Sequence, residues 1–253
     1  MKTEPRLEQC LTFINCHLRP ANVTAQSPLA AVPWRAVTIS RLTGSGGHAV
    51  AEVLAECLAA VGKAGAGPPP WTVFDRNLVE KVLEDYHLPA RLARFMPEDR
   101  VSEIDDVLQD LCGLHPPSLT LVEKTTDTIL RLAELGNVIL IGRGANVVTS
   151  QLKQVFHVRL VGSLEKRVEQ VQKSLSLGRK AAMEFIYLED RGRRRYLKKY
   201  FGKDIDDPLL YHVVVNTDRT GHKQAARMIV AAMLSCGPGC ALEAKTSRAL
   251  RAA

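Results

Sequence analysis

No run of 18 apolar residues occurs anywhere in the 253-residue sequence, so it offers no candidate for a membrane-spanning helix. The N-terminus carries Lys2 and Arg6, then only the mixed patch Leu11-Thr12-Phe13-Ile14-Asn15. That patch is too short and too polar for a signal peptide. The six cysteines (Cys10, Cys16, Cys57, Cys112, Cys236 and Cys240) form no CxxC pair and show no metal-ligand spacing. Reduced thiols in a cytoplasmic setting are therefore expected. What the chain does have is a hydrophobic fraction of 46% and length enough for a sizeable core, as one large or two small domains. Its formal net charge of +7 suits an anionic partner: a nucleotide, a nucleic acid or a membrane surface.

One stretch organises the rest. Ala36 to Ser40 reads as a short buried strand, with β-branched Val37 and Ile39 after Pro33. Thr43-Gly44-Ser45-Gly46-Gly47-His48 follows as a glycine-rich turn. Val50, Val53, Leu54, Cys57 and Leu58 then fall at helical spacing. Such a turn aims backbone N–H groups at one point, and the helix behind it adds its positive end. The arrangement suits a phosphate cradle; it also suits an ordinary strand-to-helix turn that needs glycine only for shape. The nucleotide-binding loop G-x-x-x-x-G-K-[ST] is incomplete here, because Gly47 stands in place of the lysine and His48 in place of the hydroxyl.

Residues 1–35 lack periodicity, contain Pro20, Pro28 and Pro33, and are expected to form a poorly ordered leader. The glycine- and proline-rich residues 62–70 interrupt any helix. Residues 71–75 read as a second strand ending in Asp75. Helices are expected over 77–86, in a turn at 91–95, from Pro97 onward, and over 119–133, with Gly136 as C-cap. Residues 137–141 form a continuous apolar run, as in a strand covered on both faces, and end in Gly142-Arg143-Gly144. Further strands are expected over 155–160 and 213–217, and helices over 164–175, 179–201 and 224–234. The longest of these has Ala181, Phe185, Leu188, Gly192 and Tyr196 on one side. The tail from Gly237 is expected to fray. Strands alternating with helices imply a parallel sheet with helices on both faces, and ligands in such sheets bind beyond the carboxyl ends of the strands.

Three strand ends carry unusual groups: the glycine turn, Asp75 and Arg143. A guanidinium between two glycines suits bidentate contact with phosphate, although a surface arginine in a tight turn is the simpler alternative. Asp75 has three readings: it binds a substrate hydroxyl, holds a metal-bound water, or caps the next helix. Arg191, Arg193, Arg194, Arg195, Lys198, Lys199 and Lys203 are seven bases with no acid among them, preceded by Glu189 and Asp190. They suit an anion-binding lid, a solvated basic face or a nucleic-acid patch. The last ranks lowest, because Tyr196, Tyr200 and Phe201 are the only aromatics interleaved with the run.

As a set and in order, these pieces resemble the cytidylate kinase-like family. They are Thr38-Ile39-Ser40-Arg41 leading to Gly44-Ser45-Gly46-Gly47, then Phe74-Asp75-Arg76, Gly136 to Ala145, Phe156-His157-Val158, Asp190-Arg191 with Arg194, Gly202-Lys203-Asp204 and Val215-Asn216-Thr217. The resemblance implies an α/β P-loop nucleoside monophosphate kinase fold, a parallel sheet flanked by helices with a helical substrate-binding insert and a closing lid. The kinase-like domain would span 36–235, with the insert at about 76–135 and the lid at about 178–205, between the leader 1–35 and a flexible tail 236–253. It implies ATP and Mg2+, and transfer of the γ-phosphoryl group to CMP or dCMP; the alternative is a catalytically weak or inactive nucleotide sensor. Small-molecule nucleotides are then the partners, with no membrane and no nucleic acid. By resemblance, Thr43, Gly44, Ser45, Gly46, Gly47 and His48 hold the nucleotide phosphates, and Asp75 and Arg143 bind the acceptor. Arg143, Asp190, Arg191 and Arg194 form the catalytic set. The family already lacks the loop lysine, and it usually carries arginine where His48 stands.

Overall fold

The computed structural model describes residues 34–61, 71–75 and 117–237. Most of the expected leader, the break at 62–70, the expected helices within 76–116 and the tail from 238 lie outside the described residues. Five strands form one parallel sheet: β1 (Ala36–Arg41), β2 (Thr72–Phe74), β3 (Val138–Ile141), β4 (Val155–Val161) and β5 (Val213–Asn216). Their order is β2-β3-β1-β4-β5, with β1 at the centre. The helices are α1 (Gly47–Val61), α2 (Pro117–Leu135), α3 (Ala145–Val148), α4 (Leu164–Leu175), α5 (Arg179–Phe201) and α6 (Thr217–Ser235).

Side-chain alternation divides the sheet into two faces. Val37, Ile39, Phe156, Val158 and Leu160 pack against Val50, Leu54 and Leu58 of α1 and Ala225, Ile229 and Met233 of α6. On the opposite face Ala36, Val138 and Leu140 meet Ile129, Leu132 and Ala133 of α2. Trp34, at the end of the stretch expected as leader, is buried, and its Nε1 donates to the Met233 carbonyl at 2.8 Å. It closes one end of the first core.

The apolar face of α5 is offset from the expected one. Ala182, Ile186, Gly192, Tyr196 and Leu197 are the buried residues, whereas Leu188 is 56% exposed. The physical reason is that the inward face turns polar midway, where Asp190 and Arg193 point into the protein. An apolar stripe therefore cannot be followed along the whole helix. Helix α6 begins earlier than expected, at Thr217, because the Asn216 side chain accepts from the Asp218 N–H and a kink at Gly221 joins two helical pieces. Helix α3 and a short 3-10 turn at Pro208–Leu210 had no periodic signal and are additions to the sequence reading.

Beneath α5 the sheet face is polar. Thr38, Ser40, His157 and Arg159 are all buried. The His157 Nδ1 lies 2.8 Å from the Thr38 hydroxyl, and the His157 N–H donates to Nδ1 of His212 at 2.9 Å. Burial, and then the neighbouring His212, lower the His157 pKa from 6.5 to about 4. The unfolded chain therefore binds more protons between those limits, so stability falls as pH drops from 6.5 toward 4. At roughly 1.4 kcal/mol per tenfold change in proton affinity, the loss approaches about 3 kcal/mol. His157→Gln keeps a partner for Thr38 and removes the proton. Urea titrations at pH 7 and pH 4.5 should show a smaller gap for the variant than for the parent protein.

Candidate functional site

At the carboxyl edge of the sheet, β1 runs through Leu42 into the glycine turn and then α1. The turn is closed by Ser45, whose N–H and hydroxyl both donate to the Leu42 carbonyl, at 3.2 and 2.8 Å. Gly44 and Gly46 have φ of 81° and 80°. A Cβ at Gly46 would overlap the His222 ring, so a larger residue there would have to displace that side chain as well as strain the backbone. Helix α1 follows at once, and its first-turn N–H groups have no intrahelical acceptors.

The turn is fastened to α5 through one carboxylate. Asp190 Oδ1 accepts from both the N–H and the hydroxyl of Thr43, each at 2.7 Å. Its other oxygen accepts from Arg167 Nη1 at 2.6 Å. Arg193 Nη1 donates to Asp190 at 3.1 Å and to the Thr43 hydroxyl, while its Nη2 donates to Glu189 at 2.8 Å. Arg167 also donates to the carbonyls of Thr43 and Gly162, at 3.2 and 3.1 Å. Two cations and two carboxylates, all largely buried, thus hold the loop and α5 together.

Asp75, at the end of β2, lies 2.5 Å from His48 Nε2 and 3.8 Å from Arg41 Nη2. Arg143 follows β3 in the left-handed region, with φ of 54° between Gly142 and Gly144. A non-glycine residue there carries about 1–2 kcal/mol of backbone strain. A small cavity of about 20 Å³, lined by Ser40, Arg41, Arg143, Asn146 and Arg193, lies between the ends of β1 and β3 and α5. The Asn146 side chain is 6% exposed, and among the described residues its Nδ2 has no hydrogen-bond partner.

The structure therefore brings together the residues of the turn (Thr43 to His48), Asp75, Arg143 and Asp190. Arg191 and Arg194 stand outside the hydrogen bonds that fasten the turn, although the charge of Asp190 still reaches Arg194. Arg194 pairs with Asp206 at 2.9 Å, and Arg191 is exposed on an open basic surface with Arg195, Lys198 and Lys199. Burial would raise the Asp206 pKa, but the hydrogen bond from Arg194 and the charge of Arg159 outweigh it and hold the carboxyl below its ordinary value. Arg159 is 3% exposed and bridges Ser40 and Asp206, at 2.8 and 2.9 Å. Tyr211 donates its hydroxyl to the Ile205 carbonyl at 2.8 Å on the same floor, and burial raises its pKa.

Asn146, Arg159 and Arg167 escaped the sequence reading, which quoted Arg41 only as part of a motif and counted Arg193 only among a charge run. Arg159 had a usable signal: a cation inside the apolar strand Val155–Val161, two positions from His157, has to be paired. Arg167 had none, because it sits among other polar residues of an amphipathic helix.

The model of the cytidylate kinase-like family matches residues 36–219. No curated protein matches the chain. Among solved structures, an uncharacterised protein from Eubacterium ventriosum is 18% identical, with a TM-score of 0.59, covering 80% of this chain and 99% of that one. Shikimate kinase from Bacteroides thetaiotaomicron is 13% identical (TM-score 0.44, covering 78% and 96%). A gluconokinase from Sinorhizobium meliloti is 12% identical (TM-score 0.46, covering 81% and 94%). At 18% identity the likeness to the Eubacterium ventriosum protein is one of fold. The sheet order is that of P-loop nucleoside monophosphate kinases. Among the described residues no helix is long and apolar enough to cross a membrane.

Proposed function

The chain belongs to the cytidylate kinase-like family, and on that premise we propose that it transfers the γ-phosphoryl group of ATP to a nucleoside monophosphate, with CMP or dCMP as acceptor. The observation that supports the reading is that Arg41, Arg143, Asn146 and Arg193, from the ends of β1 and β3, the start of α3 and α5, line one small cavity of about 20 Å³. Phosphoryl transfer asks a protein mainly for positioning and for neutralisation of charge on the migrating group. N–H groups of the turn and the first turn of α1 would hold the donor phosphates. Arg143 would hold the acceptor phosphate, and the unpaired Asn146 amide would donate a hydrogen bond to the acceptor. Arg193, already at the turn, is better placed than Arg191 or Arg194 to offset the moving charge.

Among the described residues no group of three histidine, cysteine or acidic side chains could hold a metal ion. Asp190 is saturated by Thr43, Arg167 and Arg193, and Asp75 faces His48 and Arg41. Mg2+ would enter on the phosphates of ATP, with few protein ligands. Bound there, it would neutralise phosphate charge.

ADP release measured with ATP and each of CMP, dCMP, UMP and AMP tests the reading. Turnover restricted to the cytidylates is the expected result. ATP binding without turnover on any acceptor would replace it with the second reading, a nucleotide sensor, which the loss of both the loop lysine and the arginine usual at position 48 favours. Asn146→Ala should raise KM for the acceptor by about tenfold, the equivalent of one hydrogen bond, with kcat and melting temperature nearly unchanged.

A further inference from the structure

The spacing G-x-x-x-x-G-K-[ST], laid on the turn, puts Arg41 on its first glycine, Gly46 on its second and Gly47 on its lysine. Besides His48 in place of the hydroxyl, the loop departs twice in opposite senses. A cation stands where glycine is usual, and glycine stands where the cation is usual.

The geometry makes these one exchange. A Cβ on Gly47 would lie 3.1 Å from Cγ of Arg41 and 3.6 Å from its Cβ and Cδ. The stem of Arg41 therefore fills the space through which a side chain at position 47 would leave the backbone. Gly47 is not among the glycines with positive φ, so its backbone alone would accept a side chain. Its glycine makes room for Arg41. The Arg41 side chain is 13% exposed, lines the same cavity as Arg143, and has its guanidinium 3.8 Å from Asp75, whose second oxygen meets His48.

We infer that Arg41 supplies the phosphate-binding cation of this loop, moved from its seventh position to its first and steadied by Asp75. The ligand is the terminal phosphates of a nucleoside triphosphate, so the inference rests on the kinase reading. Arginine at this place offers planar, bidentate contact where lysine offers a point charge.

Calorimetric titration of a non-hydrolysable ATP analogue with Mg2+ tests this on four proteins: the parent, Arg41→Gln, Gly47→Lys, and the double variant Arg41→Gly/Gly47→Lys. Thermal melts of each show that it is folded. Arg41→Gln, which keeps much of the stem, should weaken the triphosphate about thirtyfold or more while weakening AMP much less. Gly47→Lys alone should weaken it too, because two side chains compete for one space. The double variant should recover to within about threefold of the parent, since it restores the common loop spacing. Parent-like binding by Arg41→Gln overturns the inference and leaves the kinase reading standing. So does a folded double variant that binds no better than Arg41→Gln. A parent protein that binds no triphosphate overturns both.

Discussion

Asp190→Ala will lower the melting temperature on the order of 10 °C, at a few degrees per kcal/mol for a chain of this size. The substitution deletes the one carboxylate that receives Thr43, Arg167 and Arg193. Side-chain exposure is 12% at Asp190, 11% at Arg167 and 12% at Arg193, so the two guanidiniums left behind are poorly placed to recover water. Removing one partner of a buried pair typically costs about 3–5 kcal/mol, more than the pair contributes over an apolar substitute. Asp190→Asn keeps the shape and one acceptor, and should lose somewhat less. Differential scanning calorimetry separates the two. If Asp190→Ala melts within 2–3 °C of the parent, a gap of about 1 kcal/mol, the carboxylate is not what binds α5 to the turn.

Arg143→Gly should do the opposite: abolish turnover and leave stability unchanged or slightly higher. Arg143 is held at φ 54°, where glycine sits without strain. Relief of about 1–2 kcal/mol of strain is offset by about 0.5–1 kcal/mol of extra chain entropy lost by glycine on folding. On the proposed role of Arg143 at the acceptor phosphate, its removal would take about 3 kcal/mol or more from the transition state, a fall of at least about a hundredfold in kcat/KM. The pairing of a neutral melt with a dead enzyme is the signature of a residue kept for chemistry against its local preference. A variant that melts normally and turns over at the parent rate would make Arg143 a surface turn residue.

The strands were legible because each is a compact apolar run. Val138–Ile141 and Val155–Val161 announce themselves without reference to partners. The turn was legible from its glycines, and Arg143 from its place after an apolar run. What could not be read was which arginine of α5 faces inward. Arg191 and Arg193 are two positions apart, about 200° around the helix, so one must face away when the other faces in. Deciding between them requires the position of Thr43, which lies 147 residues from Asp190. Asp75 was left with three readings because its partners, Arg41 on β1 and His48 on α1, lie beyond β3, on elements that β2 does not pair with. The role of Gly47 was hidden for a similar reason: its need for room comes from a neighbour's stem.

The strand order also bears on how the molecule is made. The central strand β1 pairs only with β3 and β4. Its first partner begins at Val138, 97 residues beyond Arg41 (138 − 41). At a synthesis rate of about 5–20 residues per second, the nascent β1 segment waits about 5–20 s on the ribosome before either of these two partners exists. Throughout that interval an apolar edge is open to wrong neighbours. Such late, distant pairing makes for slow folding, so the yield of this protein during translation should depend on how well chaperones shield its first hundred residues.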